Sequence, residues 1–249
     1  MSGAPKAEPE RGRGRPEWVS QLARAASRVT PSQLSGFLPP RDGNPRAAAV
    51  LMLFGDLPAG RGVLLVERSY DLRSHAGQVA FPGGSRDPGD ADEVAAALRE
   101  AEEETGLDSR GVEVIGVLPA LWLPPSNFLV TPVLGWWHTP GEVRVVDPAE
   151  TASVHVVTLE ELLDPANRVT MRHPSGFLGP AFLVRGLVVW GFTAGLLSRM
   201  LAVVGWERPW DSSRVVDLPD RLVRSSLRDL ARRRGDTGPT LAAPPEGRS

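Results

Sequence analysis

The segment from Glu93 to Glu104 constrains the fold most, because its length, composition and flanking residues all specify a helix. It contains no Gly or Pro and consists largely of Ala, Leu, Glu and Arg, which are good helix formers. Asp90 or Asp92 can cap its start, and Gly106 can end it in the left-handed conformation that glycine adopts freely. The sequence therefore predicts a helix whose two ends are both specified.

The side chains of this predicted helix divide between two faces. At about 100° per residue, Glu100, Glu103 and Glu104 fall within an arc of about 100°. Ala97, Ala101 and Leu98 provide the packing surface. Three carboxylates on one face repel each other, which costs helix stability unless a cation or an arginine compensates. Oxygen ligands in this number suit Mg²⁺, and a solvated acidic helix face is the alternative interpretation.

Apolar runs around the helix predict strands. Ala47 to Phe54 and Gly62 to Val66 are continuous apolar segments separated by a turn-like stretch, which is typical of a strand–loop–strand pair. Because strands and helices do not alternate strictly, the pattern favours an α/β sandwich over a doubly wound sheet. Further strands are expected at Val112–Leu118, Val130–Trp137, Val154–Val157 and Leu187–Trp190, and further helices at Glu17–Val29, Leu159–Leu163, Phe192–Val204 and Leu218–Arg234.

Composition excludes several classes of protein. The 28 Lys and Arg residues against 30 Asp and Glu give a formal charge of -2, which excludes a strongly basic nucleic-acid binder on bulk balance. The absence of cysteine excludes disulfide frameworks, thiolate zinc sites and cysteine nucleophiles. The apolar stretch from Gly186 to Ser198 falls short of the ~20 residues that cross a bilayer, and the N-terminus lacks the apolar run of a secretory signal. We expect a soluble cytoplasmic protein without nucleic-acid or membrane partners.

The two ends of the chain differ from its middle in amino-acid composition. Residues 1–16 and 244–249 are of low complexity, which predicts disorder, and the prolines and glycines of Phe37–Pro45 are typical of a linker. We therefore expect a tail, a short helix and a linker over residues 1–45, a main domain over 46–206, and an arginine-rich helix with a tail over 207–249.

A glycine-rich turn, Phe81-Pro82-Gly83-Gly84, precedes the acidic helix. Glycines at this place allow the backbone to approach a phosphate closely. Further upstream lie Arg68 and Arg73, and guanidinium groups bind phosphate oxygens bidentately. These two arginines are candidate substrate-binding residues, with a surface ion pair as the alternative role for each.

At this point the chain resembles the Nudix hydrolases, whose box reads G-x5-E-x7-R-E-U-x-E-E-x-G-U with U a bulky apolar residue. The segment Arg99–Leu107 matches the second half of that box, with Ala101 a small residue at the first U. The segment Leu64–Gly84 is similar to the signature of the coenzyme A pyrophosphatase branch, L-L-T-x-R-S-x3-R-x3-G-x3-F-P-G-G, with Val66 in place of threonine. The likeness implies that residues 46–206 form a Nudix domain, a Nudix-type α/β/α sandwich with a mixed central sheet.

The chain departs from the family's box at one position. The early glutamate of the box belongs eight residues before Arg99, where this chain has Ala91. Asp90, Asp92 and Glu93 are close enough in sequence to take over its task of orienting Arg99. An altered loop at this point is also what the resemblance to the coenzyme A branch implies.

The resemblance further implies an activity and a metal. The branch cleaves the diphosphate of coenzyme A, or of its derivatives, to adenosine 3′,5′-bisphosphate and (acyl-)4′-phosphopantetheine. Mg²⁺, with Mn²⁺ as the alternative, would be held by Glu100, Glu103 and Glu104, where it would neutralise the diphosphate and activate water. Arg99 completes the expected catalytic group, and Glu103 is either a third metal ligand or the partner of Arg99.

Substrate binding would fall to Arg68, Arg73, Gly83 and Gly84 under the same resemblance. No general base is identifiable from the sequence alone. Glu150, ahead of the strand predicted at Val154–Val157, is a candidate because Nudix enzymes often place an acid there, and a surface loop glutamate is the alternative.

Other interpretations stay open at this point. A Nudix hydrolase of another nucleoside diphosphate, such as ADP-ribose or NADH, fits the same box. A catalytically silent Nudix module that binds a nucleotide and regulates a partner is a second alternative, although such domains usually lose box glutamates. Nucleic-acid binding through Arg221–Arg234 is a third, but that run lacks interleaved aromatic residues and is typical of a solvated helix face. The sequence also leaves open whether the chain is a monomer or a homodimer.

Overall fold

The computed structural model of the protein describes residues 14–34, 45–123 and 126–233, with backbone only for residues 230–233. Most of the predicted linker and nearly all of both predicted tails lie outside these residues. Among the helices of the described part, none has both the length and the apolar character that crossing a bilayer requires.

A mixed sheet of eight strands forms the centre of the molecule. Its longest strand, β1 (Arg46–Leu57), pairs in parallel with β7 (Phe128–Trp137) and antiparallel with β2 (Gly60–Arg68). The other pairings in this sheet are antiparallel and involve β3 (Val79–Ala80), β4 (Gly83–Ser85), β5 (Val112–Val117), β6 (Leu121–Leu123) and β8 (Thr151–Thr158). The main order is β3-β2-β1-β7-β5, with β4 beside β1, β6 beside β7 and β8 beside β2.

Helices cover both faces of this sheet because β1 buries both of its faces. Successive residues of a strand point to opposite sides, so Leu51 and Leu53 pack under α3 (Glu93–Thr105), whereas Met52 and Phe54 face the opposite side. That opposite side is covered by α1 (Glu17–Ala26), α2 (Pro31–Leu34) and α5 (Gly191–Val204). The predicted α/β/α sandwich with a mixed central sheet is confirmed.

A second sheet, of which the sequence indicated only one strand, lies beside α5. It comprises β9 (Arg168–Arg172), β10 (Leu178–Val184), β11 (Leu187–Val189) and β12 (Val215–Asp217), in the order β11-β10-β9-β12. The hydropathy pattern does not reveal β9, because its first residue is a charged one, Arg168, that is nevertheless buried in the structure, with 1% of its surface exposed. Glu207 at 2.8 Å and Ser198 at 2.6 Å compensate that buried guanidinium. The remaining helices are α4 (Leu159–Leu163) and α6 (Asp220–Arg233).

Two elements outside the predicted main domain pack into the fold. Trp18 of α1 lies with its ring centroid 6.5 Å from that of Trp206, and its indole N–H donates to Asp56 of β1. Leu222 of α6 is buried with the residues of the second sheet. The hydrophobic core therefore extends beyond residues 46–206 in both directions.

Truncating the buried face of α1 tests this extension. We expect Leu22→Ala to lower the free energy of unfolding by about 2–5 kcal/mol, because Leu22 is 2% exposed and its removal leaves a cavity. The matched control is Arg24→Ala in the same helix, where the side chain is exposed, and we expect a change within about 0.5 kcal/mol. Urea denaturation measures both, and equal midpoints for the two variants would contradict the packing of α1.

Candidate active site

The acidic helix α3 is fixed at both ends by the predicted residues. The Asp92 side chain accepts the backbone N–H of Ala95 at 2.8 Å, so Asp92 rather than Asp90 is the N-cap. Gly106 ends the helix with a φ of 66°, and its N–H donates to the carbonyl of Glu102. The alanine face of α3 packs on β1 and β7. This packing and the two fixed ends determine where each carboxylate of the helix lies.

The two glycines of the glycine-rich turn lie in β4, between β1 and α3. A side chain at Gly83 would lie 2.3 Å from the carbonyl oxygen of Ala49, and φ there is 154°. A side chain at Gly84 would meet the carboxyl group of Glu100 at 2.5 Å. Position 83 therefore requires glycine, and a side chain at position 84 would displace the Glu100 carboxyl group from β4. Their predicted role in substrate binding stays a prediction.

Glu104 is the buried centre of this arrangement, with 4% of its surface exposed. One carboxylate oxygen accepts the backbone N–H of Gly83 at 3.0 Å, and the other accepts the guanidinium of Arg68 at 3.4 Å. Burial raises the pKa of Glu104 to about 7, against the opposing effects of Arg68 and the Gly83 N–H. The charges of Glu100 and Glu150 raise that pKa further.

Glu100 lies one turn before Glu104 and is half-buried. Burial raises the pKa of Glu100 as well, despite the Arg99 guanidinium at 3.2 Å. Glu103, in contrast, leaves 59% of its side chain exposed and accepts Arg99 at 2.9 Å. Of the two roles open to Glu103, the structure shows the contact with Arg99.

Arg99 is held mainly by Asp90. Asp90 thus takes the place of the box glutamate that this chain lacks at Ala91. The Nε and one terminal nitrogen of Arg99 each donate to a different carboxylate oxygen of Asp90 at 3.0 Å, and Arg99 also donates to the carbonyl of Ser85. This bidentate pair raises the pKa of Arg99 and lowers that of Asp90. Of the three carboxylates expected to orient Arg99, Asp90 does so; Asp92 caps α3 and Glu93 pairs with Arg86.

The carboxylates of α3 are chemically suited to a hard divalent cation. Glu100 and Glu104 lie on one face of α3, and the charge of Glu100 raises the pKa of Glu104. Carboxylate oxygens are the ligands that Mg²⁺ and Mn²⁺ prefer, and a cation would offset this repulsion. Within residues 14–34, 45–123 and 126–233, however, no three acidic or histidine side chains are already gathered at metal-coordinating distance. The three-glutamate metal site thus stays a prediction.

Of the remaining predicted residues, Arg68 and Glu150 lie near Glu104, whereas Arg73 lies beside α6. Arg68 contacts Glu104, and its buried Nε has no hydrogen-bond partner among the described residues. Glu150 lies close enough for its charge to act on Glu104, and its backbone carbonyl accepts the N–H of Ser69 at 2.8 Å. Arg73, in contrast, is exposed and lines a cavity beside α6. From sequence the arginines of α6 are expected to form a solvated face, although their i, i+3, i+7 spacing indicates one common side of the helix.

Comparison with known proteins finds similarity to Nudix proteins by family model, by sequence and by structure. Residues 43–175 match the NUDIX domain family. The chain is 41% identical over 173 residues to NudL, an uncharacterised Nudix hydrolase from Citrobacter koseri, with 65% of this chain and 84% of NudL covered. NudL from Escherichia coli K12 is 39% identical over 169 residues, with the same coverage of each chain. Among solved structures, the Nudix hydrolase RenU from M. smegmatis is 20% identical with a TM-score of 0.48, and the match covers 71% of this chain and 99% of RenU.

The raised pKa of Glu104 predicts a pH dependence of stability. An acid whose pKa is higher in the folded state stabilises the fold below its unfolded value of about 4.5, and this contribution is lost as the pH rises through about 7. We expect the free energy of unfolding to fall by about 3 kcal/mol from pH 4.5 to 8 because of Glu104, measured by urea denaturation in the presence of a chelator.

The variant Glu104→Gln cannot lose a proton and should remove most of this slope. The matched control Glu102→Gln lies on the same helix with an exposed side chain, so we expect it to keep the slope. If Glu104→Gln retained the slope of the unmodified chain, another group would be responsible for it.

Proposed function

The chain belongs to the Nudix hydrolase family, and we propose that it hydrolyses the diphosphate bond of coenzyme A or its acyl derivatives. The products would be adenosine 3′,5′-bisphosphate and 4′-phosphopantetheine or its acyl form. Family membership supports hydrolysis of diphosphate bonds in nucleoside diphosphate derivatives, whereas the choice of coenzyme A is our inference. It rests on the resemblance of Leu64–Gly84 to the coenzyme A branch.

One observation carries the proposal: the residues of that branch-type segment and those of the Nudix box meet at a single carboxylate. Arg68 and Gly83, from opposite ends of the segment, both donate hydrogen bonds to Glu104 of the box. The two sequence signatures therefore meet at one buried carboxylate beside the candidate metal ligands.

A divalent metal, Mg²⁺ or Mn²⁺, bound by Glu100 and Glu104 with Glu103 as the third carboxylate would supply charge neutralisation at the diphosphate and lower the pKa of the attacking water. Among the chain's own groups, Arg99 is fixed by Asp90 and holds Glu100 and Glu103 in place.

Two arginines and a glutamate supply the remaining functions. The guanidinium of Arg68, whose side chain is 28% exposed beside Glu104, is a donor group suited to phosphate oxygens, and we assign Arg73 to the substrate as well. Gly83 and Gly84 keep the backbone of β4 free of side chains where the diphosphate would approach α3. Glu150 is our candidate for the base that takes the proton of the attacking water, because its charge acts on Glu104 from the neighbouring loop.

The residues of the site do not favour the alternative of a non-catalytic module that only binds a nucleotide. Silent Nudix modules usually lose box glutamates, whereas Arg99, Glu100, Glu103 and Glu104 are all present here and Arg99 is fully engaged. The alternative substrates ADP-ribose and NADH contain the same diphosphate linkage, so they are separated from coenzyme A by measurement of turnover.

Incubation of the purified protein with coenzyme A and Mg²⁺ tests the proposed substrate. We expect adenosine 3′,5′-bisphosphate and 4′-phosphopantetheine as products, identified by mass spectrometry after chromatographic separation. Cleavage of ADP-ribose or NADH with coenzyme A left intact would overturn the proposal while leaving the Nudix chemistry in place.

Substitution within α3 tests the role of Glu104. We expect Glu104→Gln to lower kcat at least about 100-fold, since loss of a metal ligand should exceed the 10–100-fold effect that is typical of residues supporting a ligand. Glu102→Gln is the matched control, because Glu102 is exposed and accepts the N–H of Ser109, and its kcat should equal that of the unmodified enzyme. A Glu104→Gln enzyme that folds and retains full kcat would show that the metal assignment is incorrect.

The assignment of the base is tested separately. We expect Glu150→Gln to lower kcat by about 10²–10⁴-fold, because the attacking water would lose the group that takes its proton. Glu142→Gln, an exposed glutamate of the same loop, should keep the kcat of the unmodified enzyme. A Glu150→Gln enzyme that folds and keeps full kcat would assign the base to a different group.

A further inference from the structure

Four arginines line one cavity of about 130 Å³ between α6 and the loop that follows β2. Arg73 comes from the loop, and Arg221, Arg224 and Arg228 come from α6. Tyr70 and Ser225 contribute to the same wall. We call this space the arginine cavity.

The spacing of α6 brings its three arginines together. Arg221, Arg224 and Arg228 occupy positions i, i+3 and i+7, which lie on one side of a helix. Leu222, which is almost fully buried in the core of the second sheet, fixes the rotation of α6. The three guanidinium groups therefore project toward the loop as a consequence of helix packing.

In the described part of the chain, no carboxylate is among the residues that line the cavity. Elsewhere in the molecule Arg99, Arg168 and Arg185 each pair with a carboxylate at 3.0 Å or less. In the part of the chain that the structure describes, none of the four cavity arginines forms a salt bridge with an acidic side chain within 4.0 Å. Like charges so close together repel each other, and an anion between them would offset that repulsion.

Ser225 supplies a second, independent indication of a ligand. Its side chain is only 8% exposed, it lines the cavity, and its buried hydroxyl has no hydrogen-bond partner among the described residues. Buried hydroxyl groups in native proteins are nearly always hydrogen-bonded. An oxygen of a bound anion would accept the hydroxyl proton and satisfy it.

The loop that carries Arg73 is attached directly to the active site. The N–H of Arg68 donates to the carbonyl of Gln78, and the N–H of Gly77 donates to the carbonyl of Arg68, so the loop starts and ends at this residue. Arg68 also contacts Glu104. Arg73 is five residues further on, which limits its distance from Arg68 to about 18 Å in a fully extended chain. This bound places the loop side of the cavity within about 18 Å of the residue that contacts Glu104.

We propose that the arginine cavity binds a phosphomonoester of the substrate, a phosphate that the nucleoside carries in addition to the diphosphate. Guanidinium groups bind the oxygens of such a group bidentately, and four of them line this cavity. This proposal rests on the proposed function and deepens it. Coenzyme A carries a 3′-phosphate of this kind, whereas ADP-ribose and NADH do not. The helix α6, which follows the matched residues 43–175, would then select the substrate.

Kinetics with two substrates tests the selection. The unmodified enzyme should prefer coenzyme A over 3′-dephospho-coenzyme A by at least tenfold in kcat/KM. In the double variant R224Q/R228Q we expect this ratio to fall by tenfold or more, while Arg199→Gln, an exposed arginine on α5, should keep it. A ratio near one in the unmodified enzyme, or a ratio that R224Q/R228Q leaves unchanged, would overturn the proposal.

A binding measurement separates this proposal from the failure of the proposed function, because it needs no turnover. By titration calorimetry, the unmodified protein should bind adenosine 3′,5′-bisphosphate at least tenfold more tightly than AMP, and R224Q/R228Q should bind the two equally. Such a difference without coenzyme A hydrolysis would support the cavity and reject the substrate. Equal binding in the unmodified protein, together with coenzyme A hydrolysis, would reject the cavity alone.

Discussion

The interaction on which the site depends is the burial of the Glu104 carboxylate between the guanidinium of Arg68 and the backbone N–H of Gly83. It joins three elements, because Arg68 ends β2, Gly83 begins β4 and Glu104 lies in the last turn of α3. A buried carboxylate is costly unless each of its oxygens has a partner, so these elements must keep their relative positions. The raised pKa of Glu104 shows that two hydrogen bonds do not fully offset its burial.

The close approach of β4 to α3 follows from the small residues on both sides. Ala97 and Ala101 let α3 lie directly on β1, and Gly84 leaves space for the carboxyl group of Glu100. The site is therefore a product of backbone proximity as much as of charged side chains, and Arg99 with Asp90 supports it from the exposed edge.

Much of the fold could be predicted because α3 and β1 carry local signals that tertiary packing reinforces. The helix ends at Asp92 and Gly106 and the apolar run of β1 agree with the structure. The second sheet could not be predicted in the same way, since β9 begins with the buried Arg168, whose partners Glu207 and Ser198 are distant in sequence. The packing of α1 and α6 on the core was likewise missed, because their apolar faces do not specify what covers them.

For the site, the sequence by itself determined which residues are candidates for the chemistry: the helical spacing places Glu100, Glu103 and Glu104 on one face, and two motifs locate the arginines and glycines around them. Only the tertiary structure decided how those equivalent carboxylates differ. Glu104 is buried against Gly83 and Arg68, whereas Glu103 is exposed beside Arg99. It also decided that Asp90 holds Arg99 and that Arg73 faces α6. The physical reason is that helical periodicity is local, whereas burial, pKa and pairing depend on chain segments that folding brings together.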